Sequence, residues 1–104
     1  MASDRSYLEY ILEQLSLLED ISSRPMMGEY IIYYRGKAAG GIYDNRFLIR
    51  PVKTAAAMMP EAHLEEPYPG ARKMLLVSNV DNREFLRELF EAIYEELPAP
   101  KKKK

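Results

Sequence analysis

The chain has 104 residues, 47% of them hydrophobic and 30% charged, which is the balance of a folded domain rather than a disordered one, at a length that suits one core. Fifteen Lys and Arg against sixteen Asp and Glu leave a formal net charge of -1, which excludes a global field drawing the molecule to nucleic acid or to an anionic membrane. The lack of cysteine excludes disulfides, thiolate metal sites and cysteine nucleophiles, and no apolar run approaches the ~18 residues of a membrane span. With a charged, amphipathic start in MASDRSYLEY instead of a secretory signal, the expectation is a cytoplasmic protein.

From Ser3 to Asp20, Tyr7, Leu8, Ile11, Leu12, Leu15 and Leu18 fall on one helical face, while Glu9, Glu13, Gln14 and Glu19 take the other. Ser3 or Ser6 is the expected cap, Ser6 with Glu9 having capping-box spacing, and Ser22, Ser23 and Pro25 end the helix. The stretch Met26 to Tyr34 is rich in aromatic and β-branched residues and apolar on both alternating sets, so it predicts a central strand. Arg35-Gly36 and Asp44-Asn45 then supply residues that accept positive φ, predicting two tight turns around KAAGGIY and before RFLIR. The result is a three-stranded antiparallel meander.

Glycines in that segment raise the question of a phosphate loop. Such loops place their glycines between a strand and a helix, and neither GxGxxG nor GxxxxGK[ST] occurs in the chain. Gly40 and Gly41 lie within a predicted strand, so Ala38, Ala39, Gly40 and Gly41 read as a low spot for a helix or for an aromatic side chain of the next strand. After Pro51, Thr54 is placed to cap a short helix, AAAMM, that Pro60 stops. EAHLEEPYPGAR reads as a surface loop with a brief extended piece near Tyr68, and KMLLVSN as a further strand. Asp81 and Glu84 have capping-box spacing ahead of a last helix whose stripe is Phe85, Leu86, Leu89, Phe90, Ile93 and Leu97. The fold class is therefore α+β, with the C-terminal helix packed on one sheet face, one domain over residues 1–97, and a disordered basic tail over 98–104.

Residues that carry chemistry are sparse. His63 has Glu61, Glu65 and Glu66 nearby, but one imidazole with carboxylates in a loop does not define a metal site. Ser78, His63 and Asp81 make a nucleophile triad only on paper, without a GxSxG elbow. The expectation is no enzyme, no cofactor and no metal.

The string Arg24-Pro-Met-Met-Gly-Glu-Tyr-Ile-Ile-Tyr-Tyr-Arg-Gly-Lys37, followed by Asp44-Asn-Arg-Phe-Leu-Ile-Arg50, resembles the N-terminal domain of the TfoX/Sxy proteins. There an Arg-x-Met-Phe-Gly-Gly-Tyr-Gly-x-Tyr pattern runs into a hairpin. Arg24, Met26, Gly28, Tyr30, Tyr33, Gly36, Leu48 and Arg50 match it identically or conservatively, whereas Met27 replaces the aromatic and Glu29 and Ile31 replace glycines. PYPGARKM and the closing helix fit as well. The resemblance implies an α+β domain tied to regulation of competence genes through partners, here standing alone without the C-terminal domain of the long members.

Two surfaces are expected from the residue pattern. On the first strand Met26, Tyr30, Ile32 and Tyr34 face the helices, leaving Met27, Ile31 and Tyr33, with Leu48 of the third strand, as an exposed apolar group that predicts a protein partner or a homodimer. Arg35, Lys37, Arg50 and Lys53 fall at one end of the sheet as a candidate basic rim for an anion or an acidic partner. A small-ligand or anion-binding domain, or a weak nucleic-acid binder using the lysine tail, are the alternative readings.

Overall fold

The computed structural model of the chain describes residues 3–98. Its elements run α1 (Arg5–Gln14), β1 (Ile21–Met26), β2 (Glu29–Tyr34), β3 (Lys37–Tyr43), β4 (Arg46–Ile49), α2 (Lys53–Met58), β5 (Leu64–Glu65), β6 (Met74–Leu76) and α3 (Arg83–Ile93), closed by a 3-10 turn, Tyr94–Glu96. The strands form one antiparallel six-stranded sheet in the order β1-β2-β3-β4-β6-β5. This is an α+β fold. The expected tail begins at Pro98, and residues 99–104 lie outside the described part.

All three helices pack on one sheet face. Leu8, Ile11 and Leu15 of the first helix and its exit, Ala55 and Met59 around α2, and Leu86, Leu89, Phe90 and Ile93 of α3 share a core with Ile32, Tyr34, Ile42, Phe47, Ile49 and Leu75 of the sheet. Phe90 is its aromatic centre, edge-on to Tyr34 at 5.9 Å and stacked with Phe47 at 6.2 Å. Leu97 closes the core beyond α3.

Several boundaries differ from the sequence expectation, each for a local reason. The first helix stops at Gln14 and not at Asp20, because Leu15 and Leu18 reach the core from a turn and Asp20, at φ 62, reverses the chain into β1. Gln14, expected on the polar face, is 6% exposed: its side chain donates to the Val80 carbonyl at 3.0 Å and accepts from Arg83 at 3.3 Å, tying α1 to the start of α3. None of the three predicted caps forms. Ser3 is drawn away to Glu29, Asn82 instead of Asp81 accepts from the Phe85 N–H at 3.0 Å, and no side chain of α2 caps that helix. The Glu96 carboxylate does so from the far end of α3, accepting from the Thr54 N–H at 2.9 Å and from the Thr54 hydroxyl. Those bonds hold the Glu96 carboxyl below its usual range. A carboxyl lowered on folding adds stability above its unfolded value and loses it as pH falls through the folded one, so this clasp loosens in acid.

The meander has four strands instead of three. The predicted first strand, Met26 to Tyr34, is broken by a two-residue turn at Met27 and Gly28, with φ of 53 and 86, and the chain before it forms β1. Pro25 is tolerated there because β1 is an edge strand, where a missing N–H costs no ladder bond, and with Arg24 it discourages edge-to-edge pairing. The turns at Arg35-Gly36 and Asp44-Asn45 form where expected, with all four φ values positive. The brief extended piece is Leu64–Glu65, not Tyr68.

Candidate functional site

The sheet face away from the helices carries Ser22, Arg24 and Met26 of β1, Glu29, Ile31 and Tyr33 of β2, and Arg46, Leu48 and Arg50 of and just after β4, as the register requires. Among the described residues no helix covers it. What lies there instead is the segment after β5. Arg46 holds it down through an ion pair to Glu65 at 2.7 Å and bonds to the carbonyls of Glu66 and Pro67, and Tyr68 sets its ring against Tyr43 at 6.3 Å. We refer to residues 66–70 as the strap.

The four residues of the expected apolar surface separate accordingly. Leu48 is 0% exposed, lying between Gly41 and Leu76 in register on the strap side, so its expected place on a solvent-facing patch is corrected. Ile31 and Tyr33 stay half-buried on the uncovered side, and the Arg24 guanidinium lies over the Tyr33 ring at 5.6 Å. Met27 leaves the strand altogether and stands 96% exposed at the tip of the β1–β2 turn.

The Met27 turn is rigidly built. The Ser3 N–H donates to the Gly28 carbonyl at 3.1 Å, the Ser3 hydroxyl donates to Glu29, and Glu29 in turn accepts from the Asp44 N–H at 3.1 Å. Asn45 donates to the Ser3 oxygen at 3.0 Å and accepts from the Asp4 N–H at 2.9 Å. This knot of five residue pairs binds Ser3 and Asp4 across two hairpin turns and holds Met27 in a left-handed conformation that non-glycine residues adopt at a cost of about 1–2 kcal/mol. Substituting Met27→Asn, which suits that conformation, is expected to raise stability by about 0.5–1 kcal/mol and the midpoint of thermal unfolding by about 2–8 °C. Differential scanning calorimetry checks this, and an unchanged or lowered midpoint would contradict the strain.

The candidate basic rim does not form one surface. β3 carries a bulge opposite Ile32 and Tyr33, which inverts the alternation so that Ala39 enters the core and Lys37 turns to the helix side. There Lys37 donates to the Tyr94 carbonyl at 3.1 Å and lies 4.1 Å from the Tyr94 ring, with Arg35 at 4.8 Å from the same ring. Two cations thus hold the C-terminal end of α3, where carbonyls lack helical partners. Arg50 is on the opposite face, its Nε bonded to the Ala38 carbonyl at 2.8 Å, and Lys53 opens α2 beside Glu96.

The low spot at Gly40 and Gly41 serves two contacts that the sequence did not specify. A Cβ on Gly40 would fall onto the Leu48 carbonyl oxygen and 2.7 Å from the Ile49 Cα, so this glycine permits close approach of β4. A Cβ on Gly41 would sit 2.6 Å from the Tyr43 ring, which folds back along its own strand and not from the next one. Burial pushes the Tyr43 hydroxyl up, Tyr68 adding to this while Arg50 opposes it.

A solvent-open hollow of about 570 Å³ lies between the end of α2 and the start of α3, with Met58, Met59 and Phe85 as its apolar wall and His63 and Ser78 on its margin. Asp81 is not among its lining residues, and no side-chain hydrogen bond joins Ser78, His63 or Asp81 among the described residues. Nor do those residues hold a group of three or more His, Asp or Glu placed for a metal ion. Among them, too, no helix is long and apolar enough to cross a membrane.

No family model matches the chain, and no solved structure matches it. Among curated proteins it is similar to the "Uncharacterized 12.7 kDa protein in trpE 5'region" of Spirochaeta aurantia, with 30% identity over 105 residues that span 100% of this chain and 91% of the relative. The chain belongs to the family of that protein.

Proposed function

We propose that the chain is a small non-enzymatic regulatory domain of the cytoplasm that acts by binding a protein partner, or a second copy of itself, through the helix-free sheet face. The observation that carries this reading is the uncovered half of that face, where Ile31 and Tyr33 stay part-exposed beside the fully exposed Met27. An apolar group held on a rigid sheet is favourable for association, because little conformational freedom is lost on binding. The likeness of residues 24–50 to the TfoX/Sxy N-terminal domain supports a regulatory role through partners, with competence genes as the proposed setting. Capture of partners by the wild-type chain and by Ile31→Glu and Tyr33→Glu variants tests the proposal. Partners lost from both variants, with folding intact by circular dichroism, are expected; identical capture by all three proteins would contradict it.

A further inference from the structure

The same face carries a second group of side chains, which shares only Tyr33 with the apolar contact proposed above. Tyr68 sets its ring 6.3 Å from that of Tyr43, Arg24 lies over Tyr33, and Arg50, Glu29 and Tyr33 share this face closely enough to act electrostatically on the Tyr43 hydroxyl. Three tyrosines and two arginines therefore gather on one side of a sheet.

Their charges are not balanced from within. Among the described residues neither Arg24 nor Arg50 has a carboxylate partner; Arg50 uses one N–H on a carbonyl and leaves the rest of its guanidinium uncommitted. The carboxylates of the face are occupied elsewhere, Glu65 by Arg46 and Glu29 by Ser3 and the Asp44 N–H. Tyr68, 53% exposed, offers the ring most open to a ligand. Glu66 stands exposed beside it on the strap, so the patch is not uniformly positive and affinity must come from stacking as much as from charge.

We infer that the Arg24, Tyr33, Arg50 and Tyr68 side of the sheet binds single-stranded nucleic acid, with bases stacked on the tyrosine and arginine planes and backbone phosphates on the two guanidinium groups. The chemistry selects this ligand over others. An acidic peptide supplies anions but no flat ring for the tyrosines, and a duplex keeps its bases inside the helix, out of reach of an exposed sheet. The inference rests on the reading that the helix-free face is the binding face, and adds the class of partner taken by its polar half.

Fluorescence anisotropy of labelled oligouridylate and oligothymidylate, titrated with the full chain at low and at physiological ionic strength, tests it. Binding at low ionic strength that weakens as salt is raised is expected. Tyr68→Ala and Arg24→Gln, both exposed positions that leave the core intact, are each expected to weaken it about tenfold. Replacing Lys101, Lys102, Lys103 and Lys104 with Gln is expected to preserve that dependence on Tyr68 and Arg24. No anisotropy change at low salt would overturn the inference. So would binding that ignores both sheet variants and vanishes with the tail lysines, or oligonucleotide displaced as readily by polyglutamate as by unlabelled oligonucleotide. Should the oligonucleotide fail while Ile31→Glu still loses a protein partner, the inference falls and the protein-binding reading stands. The reverse pattern separates them the other way.

Discussion

Phe90→Ala is expected to lower the free energy of unfolding by about 3–5 kcal/mol. Phe90 lies fully buried where α3 meets the sheet, edge-on to Tyr34 and stacked on Phe47. Truncation removes the transfer energy of the ring and leaves a void that Leu86, Leu89 and Ile93, fixed on the same helix, cannot fill without moving α3 off the sheet. A domain of this size has only about 5–15 kcal/mol in total, so the variant sits near the edge of folding. Urea unfolding measures the loss; a change below about 1 kcal/mol would mean that the core is organised differently.

Gly40→Ala is the second large effect and arises from backbone instead of side chains. The added methyl meets the Leu48 carbonyl and the Ile49 Cα, neither of which can rotate away, so β3 and β4 must separate at the bulge. A loss of about 3 kcal/mol, or about 12 °C or more in the thermal midpoint, is expected. At Gly41 the obstruction is shared between the Tyr30 carbonyl and the Tyr43 ring, a side chain that can turn where a backbone cannot. Gly41→Ala that destabilised more than Gly40→Ala would show that the closest approach between strands lies elsewhere.

What the sequence made legible is what depends on neighbours in the chain. The apolar stripe of α3 and the two turns at Arg35-Gly36 and Asp44-Asn45 follow from residue period and from left-handed tolerance, and they form as read. β1 was not legible, since Ser22, Ser23 and Pro25 carry the signal of a helix stop and an edge strand needs no strong pattern of its own. The turn at Met27 and Gly28 falls within a stretch that reads as one strand, because Gly28 suits a turn but Met27 is a poor turn residue by type. The surfaces were harder still. A single bulge in β3 sends Lys37 to the helix side while Arg50 keeps the opposite face by ordinary alternation along β4, dividing a rim that strict alternation would have kept together. Leu48 is buried on the side of the sheet where Arg46 clasps residues about twenty positions away, a contact with no local period to announce it.

The claim that binding belongs to the helix-free face is tested most directly by placing a photo-crosslinking amino acid at Ile31 and, in a separate variant, at Leu17, which is exposed on the helix side. Irradiation in living cells followed by mass spectrometry is predicted to give defined adducts from position 31 and none from position 17. Adducts from position 17 with none from position 31 would contradict it.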